Sequence, residues 1–121
     1  MVSQSSTGPS SELEQFIDQF LSAVCDNSRR RILEYLSSLP QRGSEPAESS
    51  VGEIAEHLGL ANSTTSEHLK QLLQMKLLLA HKHGKRTFYR LRNHELVQAF
   101  HDLIGSLQSH YHRHVLPPPA E

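Results

Sequence analysis

The 121-residue chain has a single cysteine, Cys25. One thiol excludes an internal disulfide and any metal site built on a cysteine pair within one subunit. No apolar run approaches the roughly 20 residues that cross a bilayer, and the Ser-rich start MVSQSSTGPS has neither the basic nor the apolar region of a signal peptide. A soluble, cytoplasmic protein with no membrane partner is expected. Net charge is also small, −1, which argues against an indiscriminate polyanion binder. Nor does any stretch set a nucleophile beside a base and an orienting acid, so the pattern does not read as an enzyme.

The small net charge conceals a division. Residues 1 to 62 hold four Lys/Arg and nine Asp/Glu, whereas residues 63 to 93 hold seven Lys/Arg and only Glu67, so a segment of about +6 follows one of −5. Such asymmetry gathers positive potential on one part of the molecule, where release of counterions gives affinity for DNA whatever its sequence.

The basic segment has an ordered layout. Val51, Ile54, Ala55 and Leu58 repeat at helical spacing, and Gly59 stands where a helix ends in a left-handed residue. Leu69, Leu72, Leu73 and Leu77 form a second helical set, preceded by Asn62, Ser63 and Thr64, each able to cap a helix. Two helices joined by a short turn predict a helix-turn-helix. From Leu78 the period changes to that of strands. Leu78 and Ala80 share a face, Thr87, Tyr89 and Leu91 alternate with Arg86, Phe88 and Arg90, and Gly84 marks the turn of a hairpin. Lys82, His83, Lys85 and Arg86 lie at its tip. A basic hairpin directly after such a helix is a wing.

Helices also flank this unit. Residues 1 to 10 read as a disordered arm, and Ser11-Glu12-Leu13-Glu14 has the spacing of a capping box. Leu13, Phe16, Ile17, Phe20, Leu21 and Val24 make one apolar stripe. Asp26 and Asn27 cap a second helix that points Ile32, Leu33, Leu36 and Leu39 inward and stops at Pro40. The segment 40–50 reads as a flexible loop without a site. A last helix opens at Asn93 and runs to about Val115, ahead of a Pro-rich tail at 117–121. Its stripe comprises Leu96, Val97, Phe100, Leu103, Ile104, Leu107 and Tyr111. A domain over 11–116 with three central helices and a hairpin offers no obvious groove for both stripes. They fold back on their own core or pack on a second subunit, with Phe16, Phe20, Phe100, Leu103 and Leu107 as the expected dimer interface. The fold class is thus mainly α with one β-hairpin, four helices preceding the hairpin and one following it.

These residues resemble the ArsR/SmtB-type winged-helix repressors of bacteria. Asp26-Asn27-Ser28-Arg29-Arg30-Arg31-Ile32-Leu33 is similar to that family's Asp-x-x-Arg-Arg-x-Ile-Leu start of the second helix, SVGEIAEHLGL and NSTTSEHLKQL to its helix-turn-helix, and GKRTFYRL to its wing. The resemblance covers roughly residues 12 to 112. It implies a homodimer formed by the first and last helices, a recognition helix in each of two successive major grooves of a double-stranded operator, repression relieved by an inducer, and a nucleoid-associated location.

Ser63, Thr64, Glu67, Lys70, Gln71 and Gln74 turn outward on the recognition helix, and the resemblance adds Ser66 and His68 on its flanks. With Lys85 and Arg86 of the wing, Ser63, Thr64, Ser66, Glu67, His68, Lys70 and Gln71 are the expected DNA-binding residues. Thr65 stands where the family has an apolar residue. It can face the core by its methyl while its hydroxyl bonds back to a carbonyl. Glu67 stands where the family often has a basic residue or His. It either accepts from a cytosine amino group or is a solvated side chain with no contact. The alternative function is a winged-helix protein-interaction module, which requires an apolar recognition surface.

Members of the family commonly detect metals, but at the positions of its last-helix site this chain has Asn93, Glu95, Ser106 and Ser109. His110 and His114 are the one pair in the last helix spaced i,i+4, which suits Zn, Ni or Co if Glu12, Glu14 or Asp18 completes a site; solvated histidines are the other reading. Cys25 reads as a small packing residue or, less simply, as a redox or metal thiol.

Overall fold

The computed structural model describes residues 9–41, 43–44, 47–92 and 94–119. The expected arm at 1–10 therefore lies largely outside the described residues. Where description starts, the chain is already helical. α1 spans Pro9–Val24, so the capping box expected at Ser11 does not open it. Pro9, with φ preset by its ring and no N–H to leave unpaired, suits the first helical position two residues earlier.

Asp26 ends this helix and starts the next. Its side chain accepts from the backbone N–H of Arg29 at 3.0 Å, capping α2, Asn27–Ser38, and extended Leu39 before Pro40 terminates it. Cys25, in the intervening turn, is exposed and does not pack. Val24 takes the buried place instead.

The loop after Pro40 contains a strand that its polar composition hid. β1, Ser49–Ser50, pairs antiparallel with β3, Arg86–Leu91, which pairs in turn with β2, Leu78–His83, to give the order β1-β3-β2. The hairpin register places Leu78 opposite Leu91 and Ala80 opposite Tyr89, as the alternation predicts. Gly84, at φ 68°, supplies the left-handed residue of its two-residue turn.

Between β1 and β2 lie α3, Val51–Leu58, and α4, Asn62–Gln74. α3 ends at left-handed Gly59, whose N–H donates to the carbonyl of Glu56 while that of Leu60 reaches Ala55 at 3.0 Å. This is the hydrogen-bond pattern of a Schellman cap. α4 ends in the same way, with the N–H of Lys76 on Leu73 and that of Leu77 on Leu72, but the left-handed place is held by Lys76 at φ 64°.

The core is one cluster. Val24 joins Ile32, Leu33 and Leu36 of α2, Ile54 and Leu58 of α3, Leu69 and Leu72 of α4, and Leu77 and Leu78 at the start of β2. α5, His94–His110, passes into a π-helical turn at Tyr111–Val115. Asn93, the expected start, lies outside the described residues. α1 and α5 both contact α2, and only their inner ends are covered: Phe20, Ala23 and Val24 on one, Leu96, Val97 and Phe100 on the other. Ile104 is half-buried, and the rest of both stripes is exposed. Leu13 is 57% exposed, Leu103 51% and Leu107 55%, so in a single chain these helices do not fold back onto their own core.

Candidate nucleic-acid interface

α3 is fixed at both ends before the reading helix begins. Ser50 and Glu53 form a capping box, the Ser50 hydroxyl accepting from the Glu53 N–H at 3.3 Å and the Glu53 carboxylate accepting from the Ser50 N–H at 3.0 Å. That backbone donor, with the Ser49 hydroxyl, holds the Glu53 carboxyl below the ordinary carboxylate range, against a smaller opposing effect of burial. The Ser-x-x-Glu spacing was present in the sequence; the polar run around it hid it. With the Schellman cap behind it, α3 delivers the chain into α4 at a set angle.

α4 divides by face. Thr65, Leu69 and Leu72 are buried. Thr65, the polar one of the three, donates its hydroxyl to the Ala61 carbonyl at 2.9 Å, as its substitution for an apolar residue requires. Asn62, Ser63 and Thr64 were expected to provide the cap. Extended Ala61 occupies that position instead, without a side-chain bond, so all three sit within the first helical turn. Ser63, Thr64, Ser66, Glu67, Lys70, Gln71 and Gln74 are exposed, and His68 is half-buried.

His68 and Gln71 are already engaged within the chain. The Arg29 guanidinium sends Nε to the carbonyl of Ala23 at 2.6 Å and Nη2 to that of Ser22 at 3.5 Å, both at the end of α1. Its Nη1 donates to the Gln71 side-chain oxygen and lies 3.4 Å from Nδ1 of His68. That same imidazole nitrogen is 3.9 Å from the Asp26 carboxylate. The Arg29 backbone N–H, which Asp26 caps, is the main cause of a lowered Asp26 pKa. The Asp-x-x-Arg spacing marked this pair as a helix start. It gave no sign that Arg29 reaches across to α4.

The wing is organised by stacking. On one face His81 lies 6.0 Å from the Phe88 ring, Arg86 sits 5.3 Å over that ring, and the Arg86 Nη2 donates to the Ser50 hydroxyl at 2.9 Å. His81 also approaches Glu48 at 3.4 Å. The hairpin is thus joined to the α3 cap through Arg86, which itself stays exposed with Lys82, His83 and Lys85 at the tip. Positive side chains of the wing and the polar face of α4 belong to the same helix-turn-helix and hairpin unit, the arrangement needed to meet a phosphate backbone and a groove together.

His110 and His114 lie with ring centroids 4.8 Å apart and their planes tilted by 42° on the exposed end of the last helix. Among the described residues no third His, Cys, Asp or Glu stands close enough to complete a metal site with them. Among these residues, too, no helix is long and apolar enough to cross a membrane.

A family model described as "Bacterial regulatory protein, arsR family" matches residues 26–78, the stretch from the cap of α2 to the start of the wing. The transcriptional repressor SdpR of Bacillus subtilis is 30% identical over 69 residues, 57% of this chain and 68% of SdpR. YdfF of the same organism, an HTH-type transcriptional regulator, is 33% identical over 73% of this chain, which spans only 36% of YdfF. In fold, the chain superimposes with a TM-score of 0.72 on the homodimeric winged helix-turn-helix DNA-binding domain of Mb0332 from Mycobacterium bovis, at 24% identity over 94% of this chain and 97% of that one. With a helix-turn-helix whose buried and exposed faces are those described above, and with a repressor relative covered over two thirds of its length, the chain belongs to the arsR family of bacterial regulatory proteins.

Proposed function

We propose that this protein is a cytoplasmic transcriptional repressor that binds an imperfect inverted repeat in duplex DNA as a homodimer and is released by an inducer. The observation that carries the reading is the division of α4, which buries Thr65, Leu69 and Leu72 and offers solvent only polar side chains beside a basic wing. A protein-docking helix would present apolar residues there. The uncovered apolar stripes of α1 and α5 supply the second half of the argument. Leu13, Phe16, Ile17, Leu21, Leu103, Leu107 and Tyr111 are large apolar side chains left exposed on these two helices, and a second copy would cover them symmetrically. Two recognition helices then enter successive major grooves about one helical turn apart.

Mobility-shift titration against duplexes carrying one or two half-sites tests the proposal. Tight binding is expected for the paired half-sites alone, and equal binding to both would indicate a monomeric reader. A metal inducer would be held by His110 and His114 together with a carboxylate such as Glu12, Glu14 or Asp18 of a second copy. Zn, Ni or Co added to the purified dimer should then lower operator affinity by at least about fivefold, a coupling of ordinary size. No change with any of the three points to an inducer of another class.

A further inference from the structure

One guanidinium joins the end of the proposed dimerisation helix to the reading face of α4. Arg29 is committed on one side to the backbone carbonyls of Ser22 and Ala23, and on the other to the side-chain oxygen of Gln71. A hydrogen bond from a charged donor is about twice as strong as a neutral one, and the Ala23 carbonyl fixes where that donor sits. A side-chain amide has one oxygen and one NH₂. With one of the two lone pairs of that oxygen held by Arg29, the NH₂ is the wholly free group of Gln71, and Gln71 is exposed.

We propose that Arg29 is a positioning residue for sequence recognition, which fixes the Gln71 amide with its NH₂ free and so directs that donor to base edges that accept. Guanine, through O6 and N7, thymine, through O4, and adenine, through N7, offer acceptors in the major groove, whereas cytosine offers its N4 amino group. The paired contact of Gln with adenine needs the amide oxygen as well as the NH₂, and here it competes with the bond to Arg29. The inference rests on the DNA-binding reading above and adds the base class that one position selects.

The test is a binding series for the full chain at fixed salt, with each of the four base pairs placed in turn at every half-site position. Wild type, Arg29→Met, Gln71→Ala and the double variant are compared. At the position where Gln71→Ala removes the preference, wild type should favour guanine or thymine over cytosine by about fivefold, the scale of one hydrogen bond. Arg29→Met should move the preference at that same position toward adenine, and it should have no such effect in the Gln71→Ala background. A uniform loss across all sequences, with the preference at that position unchanged, would show that Arg29 only supports the fold and would overturn the proposal. Wild type alone provides a test that requires no variant to fold, since selection of cytosine at the Gln71 position also overturns it. If wild type binds no duplex at all, the repressor reading itself fails. Binding with the wrong preference defeats only the role of Arg29.

Discussion

The hydroxyl of Thr65, a fully buried residue, donates to the carbonyl oxygen of Ala61 2.9 Å away. The Thr65 backbone N–H donates to the same oxygen at 3.0 Å, so removing the hydroxyl leaves no acceptor unpaired. Thr65→Val should therefore change stability by no more than about 1 kcal/mol, the net worth of one hydrogen bond offset by a better-matched apolar surface. Thr65→Ser keeps the bond and deletes the buried methyl, which should cost about 1 kcal/mol. Urea unfolding of the two variants checks the order: Val at least as stable as Ser.

Lys76 holds a left-handed conformation, φ 64°, at the end of α4, where Gly serves at the equivalent end of α3. A side chain there costs roughly 1 to 2 kcal/mol, so Lys76→Gly should raise stability by about 0.5 to 1 kcal/mol once the greater freedom of unfolded glycine is subtracted. Thermal unfolding should show a higher midpoint. A lower one would mean that the Lys76 side chain contributes more than the backbone strain removes.

Leu103 and Leu107 are about half exposed in the single chain, whereas Phe20 packs against the core. Their replacement by Ala should separate two effects. Leu103→Ala and Leu107→Ala should weaken association, seen by sedimentation over a concentration series, with little loss of helicity in the dissociated chain. Phe20→Ala should cost about 3 kcal/mol in folding as well. A chain lacking residues 94–121 that still sediments as a dimer would remove the assignment to α5.

Acid should loosen both helix caps. Asp26 and Glu53 have pKa values lowered from 3.8 and 4.5, chiefly by the backbone N–H groups of Arg29 and Ser50. A carboxyl that binds its proton less readily in the folded state contributes stability that is complete above its unfolded pKa. That contribution is lost as pH falls through the lower, folded value. Asp26→Asn and Glu53→Gln should thus be less stable than wild type at pH 7, and the difference should shrink below about pH 4. A difference that stays constant across this range would show that the carboxylate charge is not what holds the caps.

Much of this architecture was legible in the sequence because its signals are local. Asp26, Gly59, Gly84 and Pro40 each dictate a backbone event within a few residues, and the leucines of α4 repeat at the helical period. What was hidden depends on distant partners. Ser49 and Ser50 read as loop because two serines carry no strand pattern, yet pairing with Phe88 and Tyr89 makes them an edge strand. Cys25 looks like a packing residue until Val24 is seen to fill that place. Arg29 carries a helix-start motif, while its bond to Gln71, 42 residues away, leaves no periodic trace. On the recognition helix the outward residues were readable from the 3.6 period, but which of their polar atoms remain free was not.

In the proposed function the basic wing and the polar face of α4 bind DNA, the first by charge and the second by sequence. Operator affinity measured by fluorescence anisotropy from low to moderate salt tests it most directly, for wild type, Arg86→Ala and Gln71→Ala. The logarithm of affinity should fall linearly with the logarithm of salt concentration. Its slope should decrease in magnitude by about 2 for Arg86→Ala, one phosphate contact in each half of the dimer, and remain unchanged for Gln71→Ala, which should instead relax preference at one base position. Affinity independent of salt, or equal for operator and unrelated duplex, would contradict it.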